Sequence, residues 1–334
     1  MAAPDRAAAR TLDPRRPRAA PPLDSILEAI GGTPVVRLRR VVPQGSAAVL
    51  AKLESFEPGG SVKDRIALSM VEAAERDGRL SAGGHVVEPT SGNTGVGLAL
   101  VCAVKGYRLS LVMPDSTALE HRQVLEAYGA ELVLTRAEDG MGAAVGRARE
   151  IAGASGALLL DQFTNLANPA AHRAGTGPEL VAALRAAGVV PDAFVAGAGT
   201  GGTLSGAAPV LRDAFPRVSV IAVEPESCAV LSGGPPGPTR IQGLGGGFVP
   251  AVLDRSAYDR VLAIPDEEAW TMKLRLAREE GLLLGISSGA AVLAATRVAA
   301  ELGAGRTVLT LLADTGERYF SMDAWFEPAG EGRR

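Results

Sequence analysis

The chain is short of the residues that build metal centres and disulfide frameworks. Its 334 residues hold two cysteines, Cys102 and Cys228, and three histidines, His85, His121 and His172, none at the spacing of a zinc ligand set. Neither a structural zinc site nor a disulfide-stapled fold is expected. Cys102 lies inside an apolar stretch and reads as a small buried hydrophobe rather than a reactive thiol. Long hydrophobic runs are missing too. The longest, Val96 to Val104, ends at Lys105, against the roughly 20 residues that cross a bilayer. Lys and Arg are interspersed with Asp and Glu and leave a net charge of -3, so no basic block marks a nucleic-acid partner and no membrane attachment is expected. With no disulfides and no apolar leader, the expected compartment is the reducing cytoplasm. Residues 1–22 are rich in Arg, Pro and Ala with no apolar periodicity and read as a disordered tail.

From Leu23 onward, short β-branched runs alternate with longer Ala/Leu-rich segments, the pattern of an α/β protein with a largely parallel sheet. Strands are expected at 48–54, 85–89, 109–114, 131–135, 193–197, 218–224 and 307–313. Helices are expected at 62–77, 94–105, 119–128, 141–152, 174–187, 203–213, 266–280 and 289–301. The length allows two domains or one large unit.

Two of the strand-to-helix turns, "EPTSGNTGVG" (88–97) and "GAGTGGTLSG" (197–206), are rich in Gly, Ser and Thr. Each presents backbone N–H groups at a helix start, where the helix dipole favours negative charge, so two separate anion sites are expected. The second turn supports two readings. Gly197, Gly199 and Gly202 satisfy G-x-G-x-x-G, and Glu224 follows at the end of the next strand. This is the fingerprint of a dinucleotide site and of an NAD-dependent dehydrogenase. The same letters also describe a loop wrapped around one phosphate.

A third segment, "ESFEPGGSVKDRIALSM" (54–70), has a Pro-Gly-Gly turn, Ser61 as a helix cap and Lys63 in the first helical turn. A lysine is by default a solvated charge. A helix N-terminus disfavours its protonated form, however, and so favours a nucleophilic or Schiff-base-forming amine.

"PGGSVKDR", "EPTSGNTG" and "GTGGT", in this order, resemble the β-family (fold type II) of pyridoxal-phosphate enzymes, and within it the O-acetylserine sulfhydrylases of the cysteine synthase A type. The resemblance extends through "ILEAIGGTPVVRL" (26–38), "ALEHRQVLEAYGAELVLT" (118–135), "DQFTNLANPAAHRAGTGPEL" (161–180), "TRIQGLGGGFVP" (239–250), "EEGLLLGISSGAAV" (279–292) and "LADTGERYFSM" (312–322). It implies a two-domain α/β fold like that of tryptophan synthase β, each domain a mostly parallel twisted sheet flanked by helices. Residues 23–60 with 166–322 would form the larger cofactor-binding domain. Residues 61–165 would form a smaller mobile domain, and 323–334 a C-terminal tail.

The resemblance also implies pyridoxal 5'-phosphate as cofactor. Lys63 would hold its aldehyde as a Schiff base. Gly199, Thr200, Gly201, Gly202 and Thr203 would cradle its phosphate, Asn93 would meet its ring hydroxyl, and Ser287, beside Ser288, its ring nitrogen. A hydroxyl partner leaves that nitrogen closer to neutral than a carboxylate does, which suits β-elimination and replacement. Thr90, Ser91, Gly92, Thr94, Gln162 and Gly243 would contact the substrate, with the hydroxyls and the amide taking its α-carboxylate. Gly92 and Gly95 would let that loop move.

The implied reaction converts O-acetyl-L-serine and sulfide to L-cysteine and acetate, with Lys63 as the general base. A homodimer is implied, as is a cavity mouth able to take the C-terminal tail of a serine acetyltransferase. Two places depart from the usual pattern. Thr117-Ala118 stands for Met-Ser, which predicts a smaller and more polar pocket, and Gly175 stands for a Thr. The resemblance therefore fixes the reaction class more closely than the nucleophile or leaving group, and β-cyanoalanine synthase, cystathionine β-synthase and O-phosphoserine sulfhydrylase remain as alternatives.

Overall fold

The computed structural model describes residues 22–323 and Phe326. The tails expected at 1–22 and 323–334 lie outside the described residues except for Pro22, Asp323 and Phe326. The strands, in chain order, are β1 (Val35–Leu38), β2 (Ala48–Leu53), β3 (His85–Pro89), β4 (Arg108–Pro114), β5 (Glu131–Thr135), β6 (Leu158–Leu159), β7 (Ala193–Gly197), β8 (Ser219–Pro225), β9 (Arg260–Ile264) and β10 (Thr307–Leu312). The helices are α1 (Lys63–Arg76), α2 (Asn93–Lys105), α3 (Leu119–Ala127), α4 (Gly140–Ser155), α5 (Ala167–Ala171), α6 (Gly177–Ala186), α7 (Gly202–Ala214), α8 (Asp266–Arg275), α9 (Ile286–Leu302) and α10 (Phe320–Asp323).

The strands form two sheets. One has six strands in the order β1-β2-β10-β7-β8-β9, and the other four in the order β5-β4-β3-β6. Every pairing is parallel except β1 with β2, which is antiparallel. Parallel strands are buried on both faces and read as continuous apolar runs, and "AFVAG" of β7 and "VIAV" within β8 do so. Alternate side chains divide between the two faces. Val195, Ile221 and Val223 pack under α9, whereas Phe194, Val220 and Ala222 pack on the α6–α7 side. In the smaller sheet Val86, Leu111 and Met113 face Ile66, Met70 and Val71 of α1, while Val87 and Val112 face Ala144 and Ala148 of α4. Each fully buried Leu, Ile or Met side chain contributes about 1.5–3 kcal/mol.

Close helix approaches bring the site together. A Cβ on Gly97 would lie 2.9 Å from the Lys63 carbonyl oxygen, so α2 packs with its backbone against the first turn of α1. A Cβ on Gly206 would lie 2.2 Å from the Pro169 carbonyl oxygen, which brings α7 equally close to α5.

The α/β class and the mainly parallel sheets match expectation. Three strands do not appear in the sequence pattern: β1, β6 and β9. The helix expected at 174–187 is longer and distorted, running from α5 through a π turn at His172–Thr176 into α6. The helix expected from 289 begins at Ile286.

Candidate active site

Lys63 opens α1. The turn before it is set by Gly60, at φ +76°, and the Ser61 hydroxyl accepts the Lys63 backbone N–H at 3.3 Å. The helix starts one residue later than a Ser61 cap would place it, after Val62. Lys63 lines a partly open cavity of about 390 Å³ and its amine has no hydrogen bond or ion pair among the described residues. Burial lowers its pKa, opposed by the charges of Asp314 and Glu54. The expected direction is correct, and desolvation rather than the helix dipole is the main cause.

The loop after β3 forms one wall. Thr90, Ser91, Gly92, Asn93 and Thr94 all line the cavity, as does Gln162. Thr94 donates its hydroxyl to Gln162 Oε1 at 2.6 Å, and Gly92 N–H meets Thr90 Oγ1 at 3.3 Å. Gly92 is open, but a Cβ on Gly95 would touch Leu111 and Thr90 at 3.2 Å. Gly95 thus serves close packing rather than loop freedom.

The glycine loop faces this wall. Gly199, Thr200 and Thr203 line the cavity, whereas Gly201 and Gly202 lie behind it. Their glycines are sterically required. A Cβ on Gly199 would meet the Gly243 carbonyl oxygen at 2.3 Å and one on Gly202 would meet Asn168 Oδ1 at 1.9 Å. Gly201 sits at φ +83° at the start of α7, a conformation that favours glycine. Gly243, at φ +90°, and Ser287 complete the lining. The two adjacent serines divide their tasks: Ser288 Oγ accepts the Ala313 N–H at 2.9 Å, while the Ser287 hydroxyl makes no hydrogen bond among the described residues and lines the cavity.

Several partners of the expected site residues carried no signal of their own in the sequence. Asn168, fully buried, donates to the Gln162 carbonyl at 2.8 Å and to Thr200 Oγ1 at 3.0 Å, joining the two loops. Asn93 donates to Asp314 at 2.6 Å and to the Tyr319 hydroxyl at 3.0 Å, and accepts from Arg318 at 2.6 Å. The Tyr319 hydroxyl also bonds Asp314. Asp314 is raised by burial, with Tyr319, Arg318, Asn93 and Lys63 opposing. A polar pair or triplet at the end of the buried strand β10 is the signal that could have found this cluster, because such side chains persist there only when paired.

Three expectations are corrected. Thr117 adds no polarity to the pocket: its hydroxyl donates to the Pro114 carbonyl at 2.7 Å and the residue is not part of the cavity wall, to which this segment contributes His121. Gly175 lies against Arg65, where a Cβ would come 3.0 Å from Nη1, and is likewise outside the cavity wall. The dinucleotide reading has no acid to offer a ribose. Glu224 accepts from Leu231 N–H, Ser232 N–H and the Ser232 hydroxyl, so it anchors its own following loop.

A phosphorylated pyridine aldehyde fits this donor set. An unpartnered amine, an unpartnered serine hydroxyl and a glycine-walled helix start with two threonines surround one cavity. Residues 26–314 match the family model described as pyridoxal-phosphate dependent enzyme. The chain belongs to this family. The cysteine synthase of Staphylococcus aureus (strain Mu50 / ATCC 700699) is 52% identical over 300 residues, covering 90% of this chain and 96% of its own length. The probable cysteine synthase of Bacillus subtilis (strain 168) is 47% identical over 299 residues, covering 89% and 96%. Among solved structures, O-ureido-L-serine synthase superposes with a TM-score of 0.88 at 45% identity, covering 93% of this chain and 98% of that one. Cysteine synthase from Entamoeba histolytica superposes at 0.87 with 36% identity, covering 97% and 95%. As a member of the pyridoxal-phosphate family, the chain is an enzyme whose cofactor is pyridoxal 5'-phosphate. No helix among the described residues is long and apolar enough to cross a membrane.

Proposed function

We propose that this enzyme is a cysteine synthase, converting O-acetyl-L-serine and hydrosulfide to L-cysteine and acetate. The observation that carries the reading is the Lys63 amine, which has no hydrogen-bond or ion-pair partner among the described residues and whose pKa burial lowers, set between two glycine-rich loops at helix starts. When bound, pyridoxal phosphate supplies an aldehyde for amines and a ring that accepts electron density from Cα. Thr200, Thr203 and the N-terminus of α7 hold its phosphate, and Ser287 offers a hydroxyl to its ring nitrogen. Asn93 turns its amide toward the ring hydroxyl only by giving up a bond to Asp314 or Tyr319, since both take its N–H groups. Thr90, Ser91, Thr94 and Gln162 hold the substrate carboxylate and so aim Cα at Lys63. Lys63 removes the Cα proton while acetate leaves Cβ with the bonding pair. Hydrosulfide then forms the Cβ–S bond and Lys63 returns the proton to Cα.

The relatives' names and the extent of the match support the substrate pair. The family resemblance supports a homodimer in the cytoplasm, closure of residues 61–165 over the substrate, and a serine acetyltransferase tail at the cavity mouth. The test is a holoenzyme assay with O-acetyl-L-serine and, in parallel, sulfide, cyanide, homocysteine or hydroxyurea. Cysteine formed fastest with sulfide supports the proposal, and preference for another nucleophile overturns it. Lys63→Ala is expected to lose about a thousandfold in turnover, within the roughly 10²–10⁴-fold that general acid–base catalysis contributes, together with the cofactor's native visible absorption.

A further inference from the structure

His121 is 3% exposed and lines the cavity, yet neither of its ring nitrogens has a hydrogen-bond partner. Its place is fixed from both sides. The preceding Glu120 accepts the backbone N–H and the hydroxyl of Ser321, at 2.9 and 2.6 Å. The His121 ring packs on Tyr319 with centroids 5.4 Å apart and an angle of 56°. Burial and the nearby Arg318 hold its pKa down to about 4, with Glu120 opposing, so the ring is neutral in neutral solution. A neutral imidazole always carries one N–H donor and one bare nitrogen, and buried polar groups are normally satisfied. Gln242 also lines the cavity but is only half-buried and reaches solvent, whereas the His121 nitrogens do not.

The immediate polar neighbours of His121 are largely committed to one another, although Asp314 Oδ1 keeps no partner and, as an acceptor, offers nothing to an anion. Tyr319 and Asp314 bond each other and Asn93, and Thr94 bonds Gln162. We infer that His121 is the residue that binds the incoming nucleophile, its N–H donating to the sulfur of hydrosulfide. As the ring lies, neither nitrogen is exposed to the cavity, so binding requires a turn about χ2, which is broad for histidine. The inference rests on the β-replacement reading. The imidazole neither gains nor loses a proton. Hydrosulfide brings the electron pair of the new Cβ–S bond and keeps its hydrogen, and acetate departs with the pair of the broken Cβ–O bond.

Holoenzyme of wild type, His121→Phe and His121→Gln is compared. In His121→Phe the KM for sulfide is expected to rise about tenfold, the loss of one hydrogen bond to a charged partner. The KM for O-acetyl-L-serine, and the spectral change that substrate produces without sulfide, stay as in wild type. His121→Gln keeps an N–H donor and is expected to recover most of the sulfide affinity. A second readout is independent of turnover. With only three histidines in the chain, imidazole proton resonances of the holoenzyme are resolvable, and sulfide is expected to move the one that His121→Gln removes. An unchanged sulfide KM in His121→Phe, an equal rise for both substrates, or an unmoved resonance overturns the inference. Absence of any cysteine product in wild type overturns the functional reading instead.

Discussion

Glu88 shows how a residue that touches no substrate shapes recognition. It is fully buried near the end of β3, and its two carboxylate oxygens accept the backbone N–H groups of Asp161, at 2.8 Å, and Gln162, at 3.0 Å. Those bonds hold Asp161 at φ +53°, the one non-glycine residue with positive φ among the described residues, and so aim Gln162 at Thr94. Burial pushes Glu88 up to about 7, against the pull of the two N–H donors. Above that value the carboxylate serves both donors. Below it one oxygen carries a proton and one donor is left poorly served. The KM for the amino-acid substrate is therefore expected to rise as pH falls through about 7. Glu88→Gln, which has one acceptor at every pH, is expected to show a KM raised roughly tenfold with that titration absent, the loss of one hydrogen bond to a charged group. A pH series of KM in both proteins checks this, and the same titration in the variant would assign it elsewhere.

At the scale of elements, the start of α7 and the middle of α4 make opposite predictions for the same substitution. Gly202→Ala would put a methyl group 1.9 Å from Asn168 Oδ1 and displace the amide that joins Thr200 to Gln162. Cofactor affinity is expected to fall at least tenfold and stability by about 1–3 kcal/mol, the scale of an overpacked core site. Gly146→Ala on α4 has nothing within 4 Å of the new methyl group and is expected to gain about 0.5–1 kcal/mol, because alanine loses less backbone entropy in a helix. Thermal melts and a cofactor titration of both variants decide the matter.

The contrast also explains what the sequence could and could not tell. The glycine-rich turns were legible because few side chains tolerate such turns, and the parallel strands because burial on both faces leaves apolar runs. β6 has two residues, and β1 carries an arginine among four, too little for a period-2 signal. "GISSG" reads as a turn, yet Ser287 and Ser288 lie inside the first turn of α9, where serine is tolerated because exposed N–H groups lie nearby. The Asp314, Arg318 and Tyr319 cluster and the two unpartnered nitrogens of His121 are products of tertiary packing and have no local pattern.

For the molecule as a whole, the buried charge cluster behind Lys63 sets a pH dependence. Lys52 and Arg65 are the cations. Glu54, Glu57 and Glu179 surround them, with Lys52 to Glu179 at 2.6 Å and Arg65 to Glu54, Glu57 and Glu179 at 2.6, 2.8 and 2.7 Å. Two positive charges cannot neutralise these three carboxylates in a dry site, and the buried Asp64 beside them adds to the negative side, so the cluster keeps a proton on a carboxylate. That one is Glu57: burial pushes it up to about 8, with Arg65 opposing and Glu54 adding to the rise. Glu179 goes the other way, down to about 2: its hydrogen bonds to Arg65 and Lys52 overcome burial.

The sign follows. Between the ordinary carboxylate value of 4.5 and about 8 the native state holds a proton that the unfolded chain has released. Stability from this group is therefore fully present below that window and is lost as pH rises through it, at up to about 1.4 kcal/mol per pH unit. The Glu179 contribution is lost only below 4.5 and does not interfere. Glu57→Gln keeps the shape and removes the proton. Its melting temperature is expected to match or fall slightly below wild type near pH ~5.5 and to exceed it near pH ~8.5, because only wild type must ionise a buried acid there. Parallel melting curves against pH would show no crossing between the two proteins if the proton resides on another member of the cluster.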